Sequence, residues 1–255
     1  MKYILDASGV NKKFGTNQSH IAALREIDFK IAKGEFVGVM GPSGAGKSTL
    51  LNVLSSIEPP TSGSICIEGI DLVKMKDEQL REFRRDKMGF IFQDYNLLDT
   101  LTVEENIILP LAFTKVQKPE MKQRVCQLAE RFGIQSILKK YPYKISGGQQ
   151  QRTAVCRAII GNPSIIFADE PTGALDSKSA HQLLQTFIKL NEEIGATILM
   201  VTHDPYAASF CSRVLFIKDG TLFTEIRRGD TSRKQLFQQI LDILSTLGGG
   251  QHDAI

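Results

Sequence analysis

Gly41-Pro42-Ser43-Gly44-Ala45-Gly46-Lys47-Ser48 decides the reading of this chain. It follows the apolar run Phe36-Val37-Gly38-Val39-Met40 and runs straight into Thr49-Leu50-Leu51-Asn52-Val53-Leu54, so a Gly-x-x-x-x-Gly-Lys-Ser loop stands between a buried parallel strand and the first turns of a helix. The three glycines allow the backbone to curl with its N–H groups pointing inward, where a Cβ would collide with a bound phosphate. The helix that opens near Lys47 aims its positive end at the same place. The pattern predicts a phosphate-binding loop in which Lys47 bridges the outer phosphates and the Ser48 hydroxyl ligates Mg²⁺.

Composition sets the outer limits. With 255 residues and 42% hydrophobic content, the chain can bury a substantial core. The 31 basic and 28 acidic residues leave a net charge of +3, too near balance to point to nucleic acid. Cys66, Cys126, Cys156 and Cys211 lie far apart, which predicts reduced thiols rather than a zinc site or a disulfide framework. The start has no long apolar signal core, and no apolar run approaches the ~18 residues of a spanning helix. The expectation is a cytosolic protein that meets a membrane only through a partner.

Outward from the loop, short alternating segments from Ile4 to Ile31, joined by the polar stretch Gly15 to His20, predict antiparallel strands, and Ser64 to Gly69 repeats the pattern. Phe14 lies there beside Lys12 and Lys13, and reads either as core or as an aromatic face for a nucleotide base. Residues 71–88 read as charged and helical. Met88 to Gln93 is an apolar strand ending on a side-chain amide that can reach Mg²⁺ or an attacking water. Helical patterns over Thr102 to Ala112 and Lys118 to Phe132 predict a helical subdomain, about residues 94–160, inserted between core strands. Inside it, Ser146-Gly147-Gly148-Gln149 opens a helix over Gln150 to Ile160 and offers a second anion-facing helix end.

Ser164 to Glu170 is an apolar strand ending in two acids, at the edge where ligands bind in open α/β sheets. Asp169 is the expected metal-side carboxylate and Glu170 the residue that orients or deprotonates the attacking water. Thr197 to His203 repeats the architecture with an imidazole able to meet a terminal phosphate, whereas His20, His181 and His252 read as surface residues. After two further strands, Arg227 to Ser232 reads as a linker. A terminal helix follows, with Leu236, Phe237, Ile240, Leu241, Ile243, Leu244 and Leu247 on one stripe and Gly248-Gly249-Gly250 at its end.

Together these residues resemble the nucleotide-binding subunit of ABC transporters: Walker A from Gly41 to Ser48, a glutamine loop at Gln93, the signature Ser146 to Gln149, the pair Asp169-Glu170, Ala174-Leu175-Asp176, and His203. Ile145 stands where that family more often has Leu, and Phe14 where it has Tyr. The resemblance implies an α/β P-loop NTPase (RecA-like) core with an antiparallel β-subdomain and the inserted helical subdomain. It divides the chain into a cassette over 1–228 and a helical tail over 229–255. It also implies ATP and Mg²⁺ as cofactors, and a head-to-tail dimer in which each ATP lies between the loop of one copy and the signature of the other. Phe14, residues 41–49 including Thr49, residues 146–149 and Asp176 would then hold nucleotide. Ser48, Gln93 and Asp169 would hold the metal, and Glu170, His203 and Gln93 would act in catalysis.

Closer resemblance lies in Phe90 to Val103, in Ala168 to Ala180 and in the tail Leu247-Gly248-Gly249-Gly250-Gln251-His252. These are similar to the ATPases of bacterial peptide-antibiotic resistance transporters of the bacitracin type, within the lipoprotein-release and macrolide-efflux group. That resemblance implies a separate transmembrane permease, often a sensor histidine kinase, no nucleic acid, and a place on the cytoplasmic face of the cell membrane. The other class consistent with the motifs is a non-transport ABC ATPase that regulates a membrane complex, as in cell division. A docking contact for the membrane partner is expected near Gln93 to Leu101, where Tyr95, Leu97, Leu98 and Leu101 cluster.

Overall fold

The structure is a computed structural model, and it describes residues 2–16 and 19–248. The strands are β1 (Tyr3–Thr16), β2 (Ser19–Ala32), β3 (Phe36–Met40), β4 (Ser62–Ile67), β5 (Ile70–Asp71), β6 (Met88–Ile91), β7 (Ile165–Asp169), β8 (Ile198–Val201), β9 (Arg213–Lys218) and β10 (Thr221–Arg227). The α-helices are α1 (Lys47–Leu54), α2 (Asp77–Lys87), α3 (Val103–Ile108), α4 (Lys118–Arg131), α5 (Gly147–Ile159), α6 (Ser177–Ile194), α7 (Pro205–Ala208) and α8 (Arg233–Gly248).

Two sheets form the frame. The larger has strand order β10-β9-β3-β8-β7-β6, parallel from β9 through β6 with β10 antiparallel at its edge. The smaller is antiparallel, in the order β2-β1-β4-β5. Strands β3, β7 and β8 are buried on both faces, which is why they read as continuous apolar runs. Their side chains alternate between two cores. Val37, Val39, Ile165, Phe167, Leu199 and Val201 pack toward the small sheet and α1. Phe36, Met40, Ile166, Ala168, Ile198 and Met200 pack toward the helices.

Between β6 and β7, residues 94–160 carry α3, α4 and α5 with short 3₁₀ turns and irregular segments, and the apolar positions Val103, Ile107, Val125 and Ala129 join Ile91 and Ile166 in one core. The details differ from the sequence pattern in places. The helix expected over Thr102 to Ala112 stops at Ile108 and tightens into a 3₁₀ turn over Leu109–Leu111, because Pro110 cannot continue the α-helical ladder. The N-terminal strands are longer than the short alternating segments suggest; β1 and β2 pair over 14 residues each, and several register shifts break their alternation. His181 is not a surface residue. Its Nδ1 lies 2.7 Å from the Tyr206 hydroxyl, and its ring meets Phe210 edge-on.

The tail expected as a linker and a helix forms a capped helix. Ser232 Oγ accepts from the Gln235 N–H and Gln235 Oε1 accepts from the Ser232 N–H, a reciprocal cap that starts α8. Leu236, Ile240 and Leu247 are buried beneath it, and the Arg233 guanidinium lies 4.3 Å from the Phe210 ring centroid. Gly249, Gly250 and the tail motif through His252 lie outside the described residues. Among the described residues all four cysteines are free thiols: Cys156 and Cys211 are buried, Cys66 is half-buried and Cys126 is exposed on α4.

Candidate functional site

The loop after β3 turns sharply into α1. Gly41 and Gly46 carry positive φ values of 157° and 99°. A Cβ on Gly41 would run into the carbonyl oxygen of Ile217, and one on Gly46 would come within 2.5 Å of the carbonyl oxygen of Ala23. These glycines are therefore required by close approach to β9 and β2, a protein contact that adds to the phosphate argument made from sequence. Lys47 is buried, and its Nζ donates to the carbonyls of Gly41 and Pro42 at 2.9 Å each. Burial pulls the Lys47 ammonium below its ordinary pKa, against the pull of Glu170 and Asp169. A cation with so little solvent is a strong partner for a phosphate oxygen.

Parallel strands β3, β7 and β8 end side by side, so their terminal residues converge. Asp169 closes β7, and the Glu170 N–H continues the ladder to the Val201 carbonyl at 2.9 Å. Glu170 has φ of 42°, a left-handed conformation that a non-glycine residue adopts at some strain and that turns its carboxylate toward His203. His203 Nδ1 stands 2.8 Å from Glu170 Oε2. Burial, then the neighbouring Glu170, push the Asp169 carboxyl upward, with Lys47 acting in the opposite direction. Asp169 Oδ1 is buried and has no hydrogen-bond partner. A hard oxygen left orphaned beside Lys47 and the N-terminus of α1 suits a hard divalent cation, which takes most of its other ligands from water and phosphate.

Gly41, Pro42, Ser43, Lys47, Glu170 and His203 line one cleft of about 580 Å³, and Leu244 and Leu247 of α8 complete its wall. Ser48 is exposed and Thr49 half-buried on the first turn of α1. Gln93 follows the end of β6 and rests against the turn after Glu170, with its Nε2 3.0 Å from where a Cβ on Gly173 would stand. Phe14 is 40% exposed rather than core, and pairs with Ile21 in β2, two residues from Ala23 at the loop. The Lys12 ammonium covers one side of its ring at 4.9 Å from the centroid.

Phe14, Ser48, Thr49, Gln93 and Asp169 do not themselves line this cleft, and neither do residues 146–149 or Asp176. Ser146 caps α5, its backbone N–H donating to Gln149 Oε1 at 3.0 Å while its hydroxyl faces the Gln149 N–H, but none of residues 146–149 lines the cleft. Gly148 lies instead near Ser179. Asp176 caps α6 by accepting from the Ser179 N–H and Oγ at 2.9 Å each, which holds its carboxyl below the usual range. Both helix ends are formed and exposed, and neither lines the cleft at the chain's own phosphate loop.

Sequence reasoning missed the residues that fasten the segment after Gln93. Asn106 is fully buried; its Oδ1 accepts from the Leu98 N–H at 2.8 Å, and its Nδ2 donates to the carbonyls of Leu98, Leu101 and Thr102. Arg157 donates to the carbonyls of Tyr95 and Asn96, two residues with positive φ. Tyr95 is buried, so it does not belong to the exposed apolar cluster expected there. Leu98, 45% exposed, does.

A family model described as "ABC transporter" matches residues 24–173. The "Bacitracin export ATP-binding protein BceA" of Halalkalibacterium halodurans is 54% identical over 98% of this chain and 99% of its own length. The "Macrolide export ATP-binding/permease protein MacB" of Aggregatibacter actinomycetemcomitans is 40% identical over 91% of this chain, which spans only 35% of that longer protein. Among solved structures, the dimeric post-hydrolysis state of the ATP-binding cassette MJ0796, bound to ADP and Pi, superposes with a TM-score of 0.80 at 40% identity, covering 88% of this chain and 98% of that one. No helix among the described residues is long and apolar enough to cross a membrane. With a phosphate loop, two acids and a histidine converging where parallel strands end, and with these relatives, the chain belongs to the ABC transporter family as an ATP-binding, ATP-hydrolysing cassette.

Proposed function

We propose that this cassette powers a membrane transporter that protects bacteria from peptide antibiotics of the bacitracin type. The observation that carries the proposal is the 54% identity to BceA over almost the full length of both proteins. In MacB the name joins ATP-binding and permease in one protein, of which this chain matches about a third, and the cassette is proposed to act with a transmembrane permease. Attachment to that permease would hold the cassette at the cytoplasmic face of the membrane. A sensor histidine kinase has no support in the relatives' names and forms no part of the proposed assembly.

In the proposed mechanism, residues 41–49 wrap the phosphates and Phe14 offers a face to the base. Ser48, Asp169 and Gln93 would hold Mg²⁺, which would neutralise charge on the outer phosphates. Glu170, held by His203, orients and deprotonates the attacking water. The relative solved as a dimer supports a second copy whose residues 146–149 and Asp176 complete the site, since neither lies at the cleft of its own chain. The permease would dock in the groove of about 570 Å³ lined by Ile57, Arg84, Phe90, Phe92, Leu109 and Arg157, beside the segment that starts at Gln93. Deleting the gene should sensitise cells to bacitracin, and wild-type protein should restore growth where Glu170→Gln does not. Full protection by Glu170→Gln, at equal expression, would remove hydrolysis from the proposed function.

A further inference from the structure

We propose that α8 is an accessory dimerisation element, whose half-buried edge of Phe237, Leu241 and Leu244 is covered by the second copy of this chain when ATP closes the pair. The inference rests on the two-copy reading above.

The helix carries two adjacent apolar stripes. Leu236, Ile240, Ile243 and Leu247 follow the spacing of a face turned inward, and three of the four are buried. Phe237, Leu241 and Leu244 form the neighbouring stripe, each only half-buried. Leu244 reaches the catalytic cleft, which it lines with Leu247 of the inward stripe and with Pro42, Ser43, Lys47, Glu170 and His203. The C-terminal end of α8, where the second stripe ends, therefore stands at the rim of the phosphate site, and Leu241 and Phe237 lead away from it along the helix.

That rim is where the partner must arrive. Residues 146–149 do not line the cleft of their own chain, and on the two-copy reading the second copy brings its signature to the phosphates there. The cleft between the loop and α8, about 580 Å³, leaves room for a triphosphate, so α8 flanks the phosphates and does not plug them. A row of half-exposed apolar side chains continuous with a surface that a partner covers is itself an extension of that surface. The helix is also firmly seated. Its reciprocal cap at Ser232 and the stacking of Arg233 on Phe210 hold it against α7, which begins two residues after His203.

The test uses the full chain carrying Glu170→Gln, which slows hydrolysis so that an ATP-bound dimer accumulates, with sedimentation velocity reading the dimer. Adding Leu241→Lys should weaken ATP-dependent dimerisation at least tenfold, and the milder Leu241→Gln should weaken it less. Neither should change ATP affinity measured below the dimerisation concentration, because Leu241 does not line the cleft. A dimer as strong as the parent's in both variants overturns the proposal, and so does a stronger dimer, which would make α8 an obstruction. If the Glu170→Gln parent forms no ATP-dependent dimer, the two-copy reading falls together with this one.

Discussion

Asp169 holds its charge where the surroundings oppose it. Burial and the adjacent Glu170 raise its pKa above the ordinary value, so the protonated form is the one the fold favours. The stability held by that protonated form is fully present below the ordinary aspartate value of about 3.9 and is lost as pH rises through the raised one. Asp169→Asn should therefore melt higher than wild type at pH 7 without nucleotide, with the gap closing below about pH 4. Mg-ATP should raise the melting temperature of wild type and not of the variant. Equal melting temperatures at pH 7 would contradict the burial argument. Glu170 is a different case, since it has a partner in His203 at 2.8 Å. Glu170→Gln preserves shape and hydrogen bonding but cannot take a proton, so turnover should fall by about 10² to 10⁴-fold while ATP affinity stays. Both acids were legible in the sequence, because a buried parallel strand delivers the residues at its carboxyl end to the edge of the sheet where ligands bind. The strain at Glu170 was not, since no residue pattern encodes a positive φ at a glutamate.

Among the elements, the segment after Gln93 was legible in place but not in cause. The sequence marks its apolar residues, but solvent exposure separates Leu98 from Tyr95, and exposure depends on which carbonyls a distant side chain holds. Asn106 holds three of them and one N–H from inside an apolar core. In the run Val103-Glu104-Glu105-Asn106-Ile107-Ile108 nothing separates such an asparagine from a solvated one. Asn106→Leu should cost about 2–4 kcal/mol in urea denaturation, because the buried polar groups lose their partners together. ATP binding by the folded variant should remain near wild type, since the phosphate loop is not touched. The α3 boundary was misread although its cause stands in the sequence: the apolar period runs on to Ala112, but Pro110 cannot continue the ladder and the α-helix stops at Ile108.

For the whole molecule, the α/β class, the parallel core and the helical stretch over 94–160 were legible because strands buried on both faces and amphipathic helices leave distinct periods. That the signature does not line the cleft of the chain's own phosphate loop was not, because spacing along a chain does not fix position in space. Mixing Lys47→Ala with Ser146→Arg chains tests what that placement implies. Each variant alone should be nearly inactive, and the mixture should recover part of the ATPase rate through heterodimers with one intact composite site. No recovery despite demonstrated heterodimers would count against sites shared between copies, or would mean that the two sites must fire together.

The uneven burial of the four thiols has a practical outcome for watching the protein move. Cys156 and Cys211 are shut in and their thiols are driven strongly upward by burial, while the Cys66 thiol is raised by burial and by Asp71. Maleimide reacts with thiolate, so peptide mass spectrometry after brief labelling at neutral pH should find the dye on Cys126 well before the others. Cys126 rides on α4, in the helical stretch that carries the signature. The natural chain thus presents one preferred attachment point for a fluorophore or spin label on the part whose displacement during the ATP cycle one would most want to follow, with no engineered cysteine required.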